Sequence, residues 1–165
     1  MMPPMTEVDI VEADLGREDH ARAVVALTDA YARDPMGNGA PLPEEIKAAL
    51  VPGLRRHPTT LVFLALRGDE PVGIATCFLG FSTFAARPLV NVHDLAVLPA
   101  TRGQGVGRRL LAAVEARARA LGCCKVTLEV LENNTRARRL YESAGFAQGA
   151  YQAEAGGALF YAKSL

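Results

Sequence analysis

From Arg17 onward the apolar residues Ala21, Val24, Leu27 and Tyr31 recur at helical spacing, and the pattern stops at Asp34-Pro35. Proline drives the residue before it out of the helical region, so a helix ends there. Val8 to Val11 predicts a first strand ahead of it. Residues 35–43 carry two glycines and three prolines, which predicts a loop before a shorter helix over 44–51. Three strand-like runs follow at 60–67, 71–81 and 89–98, the first two joined by a Gly68-Asp69 turn, as in an antiparallel meander. Over 105–121, Leu110, Val114, Ala118 and Leu121 form one apolar stripe and Gly122 supplies a stop, so this segment reads as an amphipathic helix. Branched residues at 125–131 predict a strand. After Asn133-Asn134, Ala137, Leu140, Tyr141 and Ala144 predict a helix ended by Gly145. Final strands are expected at 146–151 and 158–163, giving a mixed α/β (α+β) arrangement.

The chain has 165 residues, 50% of them hydrophobic. That suits one domain over 1–165, burying roughly 70% of the surface its unfolded chain exposes. Eighteen basic residues balance eighteen acidic ones. Without a global field, binding to nucleic acid or to an anionic membrane is not expected, and any anion site must be local. No apolar run approaches the roughly 20 residues that span a bilayer, and the first residues lack the basic-then-apolar build of a secretory signal, so a cytoplasmic location is expected. Cys123 and Cys124 are adjacent and Cys77 stands alone, a spacing that makes neither a disulfide framework nor a zinc pair, and no metal site is expected.

The local anion site has a candidate. Arg102-Gly103-Gln104-Gly105-Val106-Gly107 lies between a predicted strand and a predicted helix, with three glycines within five positions. Glycine lets the backbone approach a ligand closely, and a helix start leaves its first amides without intrahelical acceptors. The helix end adds roughly half a positive charge, and Arg102, Arg108 and Arg109 stand beside it, which suits a pyrophosphate. A tight strand-to-helix turn with no ligand is the plain alternative. A Walker loop is excluded because Arg108-Arg109 replaces Lys and a hydroxyl residue after Gly107. The dinucleotide fingerprint fails at Arg108 and comes after several strands instead of the first, with Glu129 the only acid placed for a ribose.

The segment does resemble the signature R/Q-x-x-G-x-G/A of the GNAT acetyltransferase family, here Arg102 to Gly107, preceded by Asp94-Leu95-Ala96-Val97-Leu98-Pro99. A second block, N-x-x-A-x-x-L-Y followed by G-F, stands as Asn134, Ala137, Leu140, Tyr141 and Gly145-Phe146. The resemblance implies a GNAT-type acyl-CoA N-acyltransferase fold: a mixed, mainly antiparallel sheet flanked by helices, whose central strands splay into a V-shaped slot. It implies acetyl-CoA as cosubstrate, with the pyrophosphate on Arg102, Gly103, Gln104, Gly105, Val106, Gly107 and Arg108. The pantetheine arm would lie along Leu95, Ala96 and Val97, with Asn134, Ala137 and Tyr141 as further contacts. Asn133 or Asn134 as a simple helix cap, and Tyr141 as a core aromatic, are the plain readings of the same residues. A homodimer through edge strands is also implied by analogy.

Transfer to an amine needs a neutral nucleophile, and a lysine-like amine costs roughly 4.6 kcal/mol to deprotonate at pH 7. His93 and Asp94 are the candidate bases. On a regular strand they would point to opposite faces, and an ordinary imidazole pKa favours His93, since Asp94 needs a large upward shift or a water relay. Tyr141 resembles the family tyrosine that assists the leaving thiolate. The run from Cys77 through Leu95 resembles the diamine and polyamine acetyltransferases, with His93 in place of a glutamate. Asp29, Asp34, Glu44 and Glu45 are the acids available to a polyamine, while Arg55, Arg56 and Arg87 oppose one. The expected acceptor is a small primary amine; a protein N-terminus or lysine, or a non-catalytic CoA sensor, are the competing readings.

Overall fold

The computed structural model describes residues 7–149 and 152–165. They fall into two compact units that meet in sequence at Leu131 and Glu132. The first unit holds β1 (Val8–Glu12), α1 (Glu18–Arg33), α2 (Glu44–Arg56), β2 (Thr60–Arg67), β3 (Glu70–Ser82), β4 (Arg87–Val97), a 3-10 turn (Pro99–Thr101), α3 (Val106–Ala120) and β5 (Val126–Leu128). The second holds α4 (Thr135–Ser143) and a 3-10 turn (Ala153–Ala155).

The five strands form one sheet in the order β1-β2-β3-β4-β5. The first four pair antiparallel, as short turns between them allow, and β5 joins β4 in parallel after the α3 crossover. Strand alternation sorts the two faces. Val62, Leu64 and Ile74 pack with Ala23, Val24 and Leu27 of α1 and Val51 of α2, while Ala96 and Leu98 border the same cluster. The opposite face takes α3: a Cβ on Gly73, next to Ile74, would lie 3.2 Å from Leu110 Cδ1 and 3.3 Å from Val106 Cγ1. Leu110, Leu111 and Val114 are almost fully buried there.

Three departures from the sequence reading have physical causes. Helix α2 runs to Arg56 through Pro52, instead of stopping at 51. Pro52 forfeits an intrahelical hydrogen bond, but Val51, Leu50 and Leu54 pack against the sheet and hold the last turn in place. Strand β5 spans three residues where seven were expected, because only Val90, Val92 and the residue between them offer it an edge. Val130 and Leu131 are exposed beyond it, so branched side chains alone did not extend the strand. The segment 158–163 forms no strand; Leu159, Phe160 and Tyr161 are exposed. The strand expected over 146–151 lies partly outside the described residues, and 146–149 have no regular structure. No described helix is long and apolar enough to cross a membrane.

Candidate active site

The site begins with an irregularity in β4. Thr76 pairs with Asp94 but Cys77 pairs with Val92, so His93 is an extra residue, a β-bulge. Cross-strand partners share a face, which places Asp94 with Thr76 on the side of α1 and α2. His93 packs edge-on against Phe78, 5.6 Å between ring centroids, and Phe78 follows Thr76 by two residues and shares its face. Both side chains therefore occupy the same side of the sheet, and the expectation of opposite faces is corrected: the bulge interrupts the alternation it relied on.

The bulge also re-aims the backbone. Before it, the Val90 N–H donates to the Lys125 carbonyl at 3.2 Å, so even-numbered amides face β5. After it, the Leu98 N–H donates to the Val72 carbonyl on β3 at 2.9 Å. Alternation then turns the amides of Leu95 and Val97 to the other edge. Pairing with β5 has ended by that point, since it stops at Val92. Beyond the bulge β4 thus presents, on the β5 side, an edge with no strand partner among the described residues.

That edge runs directly into the glycine turn. Gly103 (φ +77°) and Gly105 (φ +80°) lie in the left-handed region, where a side chain is strained, although a Cβ at either would meet open space. Backbone conformation, not crowding, demands glycine here. Gly105 caps α3 without a side chain, and its carbonyl accepts the first intrahelical bond, from the Arg109 N–H at 3.1 Å. The amides of Val106 and Gly107 precede that bond, at the positive end of a 15-residue helix with no acidic residue in its first turn.

Arg102 is committed elsewhere. Its Nη2 donates to Asp34 Oδ2 at 2.7 Å and its Nε to the Val97 carbonyl at 3.0 Å. The Gln104 side chain accepts from Arg67 Nη2 at 2.7 Å and donates to the Ala100 carbonyl at 3.2 Å. Through these bonds the Arg102 guanidinium ties together the end of α1, the end of β4 and the turn. Three of the four acids offered for a polyamine are occupied. Asp29 accepts from the Leu42 N–H and from Arg33, Asp34 holds Arg102, and Glu44 pairs with Lys47. The hydrogen bond from Leu42, and then Arg33, hold the Asp29 carboxyl below its ordinary range.

Electrostatics around the bulge favour a proton acceptor. Burial raises the Asp94 pKa, and the neighbouring His93 partly opposes the rise. Tyr31 of α1 is raised by burial and by the charges of Asp94 and Asp34, which places its phenol among these acids. Burial pushes the Cys77 thiol up to about 12, so it is protonated near neutrality and unsuited to carry an acyl group.

A family model for GNAT acetyltransferases matches residues 24–146. The chain belongs to this family. An aminoalkylphosphonate N-acetyltransferase of Salmonella typhimurium is 34% identical over 89 residues, 54% of this chain and 58% of that protein. A thialysine N-epsilon-acetyltransferase of Bos taurus is 36% identical over 88 residues, 53% of this chain and 51% of that protein. The match thus spans little more than half the length of either relative. Among solved structures, an aminoglycoside acetyltransferase from an uncultured soil metagenomic sample, in complex with sisomicin, superposes with a TM-score of 0.77 at 19% identity, covering 96% of each chain.

Within this GNAT chain, the first unit brings His93, Asp94, Leu95, Ala96, Val97 and Arg102 to Arg108 into one continuous stretch. Ala96 turns its side chain into the α1 and α2 cluster. In the second unit the Asn134 side chain accepts from the Ala137 N–H at 3.2 Å and caps α4, the plain reading of that asparagine. Tyr141 meets Phe146 at 6.1 Å between ring centroids. Sequence reasoning did not bring Tyr31 or Phe78 to the bulge, nor Asp34 to Arg102. No local signal could have paired residues 68 positions apart.

Proposed function

We propose that this protein is an acetyl-CoA-dependent N-acetyltransferase that moves the acetyl group to a primary amine of a small molecule, by direct attack within a ternary complex. The edge of β4 that has no strand partner beyond the bulge and runs into the glycine turn carries the reading. In it, the diphosphate of the cosubstrate sits on the amides at the start of α3, with Arg108 and Arg109 on the adjoining turn. The pantetheine arm lies along Leu95 and Val97 as a missing strand would, and the thioester carbonyl takes a hydrogen bond at the bulge.

The amine lone pair attacks the thioester carbon, the C–S bond breaks, and the amine proton passes to a base. The half-buried position of Asp94 moves that role from His93 to Asp94, because a raised carboxyl accepts a proton more readily than an ordinary one. Exposed His93, beside it, relays the proton to water. Tyr141 donates a hydrogen bond to the departing thiolate; a phenol near pKa 10 is a weaker acid than a thiol near about 8.5, so full transfer is not required of it. The two relatives named above act, by their names, on small amines, which supports the acceptor class.

Calorimetry with coenzyme A and a thiol-release assay across an amine panel test the reading together. Binding is expected for coenzyme A and not for NAD, with thiol release that depends on amine. Release without amine alone, or a selective response to NAD, would overturn it. Tyr141→Phe is expected to lower turnover while cofactor affinity stays close to that of the parent.

A further inference from the structure

The turn before α3 relies on glycine, the residue with the widest backbone freedom. Gly103 and Gly105 stand at positive φ, and a Cβ on either would meet no atom within 4 Å, so packing fixes neither of them. Glycine loses more conformational freedom on ordering than any other residue. A ligand that needs this turn in one conformation bears that loss on binding, unless the protein has already ordered the turn. Between the two glycines, Gln104 is exposed, yet its side chain is tied at both ends. Its oxygen accepts from Arg67 Nη2 at 2.7 Å, across 37 positions of sequence, and its nitrogen donates to the Ala100 carbonyl at 3.2 Å. Arg67 is the last residue of β2, paired with Val8 of β1 on one side and Glu70 of β3 on the other, so the anchor belongs to the sheet itself. Arg102, just before the first glycine, is held by the Val97 carbonyl and Asp34. Side chains at 102 and 104 thus hold the turn, while the glycines at 103 and 105 supply its left-handed backbone.

Stability alone gives little reason for an arginine at position 67. Its Nε is buried with no hydrogen-bond partner among the described residues, and among them it forms no ion pair. A buried donor without a partner is destabilising, and an apolar side chain of similar length would avoid it. What the guanidinium does supply is a grip on the one side chain that stands between the two glycines.

Resting on the acetyl-CoA reading, we propose that Arg67 is a positioning residue for the cosubstrate: through Gln104 it holds the glycine turn in the conformation that the diphosphate needs, before the diphosphate arrives. It acts by way of Gln104 and not by touching the phosphates.

The test measures coenzyme A affinity by calorimetry, KM for acetyl-CoA and for the best amine of the panel, and denaturant unfolding. It uses the parent, Arg67→Met, Arg67→Lys, Gln104→Met and the double Met variant. In Arg67→Met, coenzyme A affinity is expected to weaken and acetyl-CoA KM to rise by about tenfold, the scale of ordering one residue's backbone, while kcat and the KM for the amine stay near those of the parent. Arg67→Lys is expected to recover part of the loss and Gln104→Met to reproduce it. The double variant is expected to match Gln104→Met, since both changes remove the same bond. Unfolding midpoints are expected to stay close to the parent's, and Gln104→Met, at an exposed position, carries the test should Arg67→Met fold poorly. Parent-like affinity in both single variants, or losses that add in the double variant, would overturn the proposal while leaving the acetyl-CoA reading intact. A loss in Arg67→Met with none in Gln104→Met would overturn it too, as the signature of direct phosphate contact by Arg67. Failure of the parent to bind coenzyme A would instead remove that reading, and this proposal with it.

Discussion

If Arg102 is a clasp, its loss shows in stability before it shows in cofactor affinity. Its ion pair with Asp34 is 2.7 Å long, and the two side chains are 28% and 14% exposed. Unit charges 4 Å apart attract by about 4 kcal/mol at an effective dielectric of 20. Partial desolvation and the ordering of a long side chain offset much of this, and hydrogen bonds to charged groups contribute about 1.5–3 kcal/mol in mutational series. The expected net for the pair is about 2 kcal/mol.

The clean perturbations are Arg102→Met, which keeps most of the stem, and Asp34→Asn, whose oxygen can still accept the Met36 N–H that Asp34 Oδ1 accepts at 2.8 Å. Denaturant unfolding of both single variants and the double variant gives the coupling energy directly. Each single variant is expected to lose about 2 kcal/mol, with Arg102→Met losing more because the Val97 carbonyl also gives up its 3.0 Å partner. The double variant is expected to resemble Arg102→Met alone. Calorimetry with coenzyme A on the same proteins separates the rival account, in which Arg102 is a phosphate ligand. Stabilities adding within about 0.5 kcal/mol, together with a loss of cofactor affinity confined to Arg102→Met, would refute the reasoning.

Other expectations follow from the same geometry. Gly73→Ala puts a methyl 3.2 Å from both the Ala96 carbonyl oxygen and Leu110 Cδ1, and is expected to destabilise by about 1–3 kcal/mol in denaturant titration. Gly105→Ala meets no atom within 4 Å but must hold φ near +80°, costing about 1–2 kcal/mol, and weaker coenzyme A binding is expected as the turn relaxes. Gly53→Ala, inside α2 with open space around it, is expected to stabilise by up to about 1 kcal/mol. For Asp94 the folded pKa is raised, so the native state holds its proton more tightly than the unfolded chain. Its share of stability is full below the ordinary carboxylate range and is lost as pH rises through the raised value. Asp94→Asn is therefore expected to flatten that decline in a pH series of unfolding curves. Its kcat/KM is expected to fall by about 100-fold or more in the thiol-release assay.

The glycine turn, the helix behind it and the four antiparallel strands were legible in the sequence because each is set by local chemistry. Positive φ at Gly103 and Gly105 needs glycine, and the stripe from Leu110 to Ala118 needs only helical periodicity. β2 matched its predicted ends at Thr60 and Arg67, since a short unbroken apolar run bounded by turn signals marks a buried strand. What the sequence could not supply was partnership. Whether a branched run becomes a strand depends on an available edge, which is why β5 ended at Leu128 and 158–163 did not pair. The bulge at His93 is a mismatch in count between two strands, visible in neither strand alone, yet it decides that His93 and Asp94 share a face and that Leu95 and Val97 turn outward. Burial around Asp94 and the capture of Arg102 by Asp34 are likewise products of chain segments far apart in sequence, because dielectric surroundings and ion pairs are properties of proximity in space.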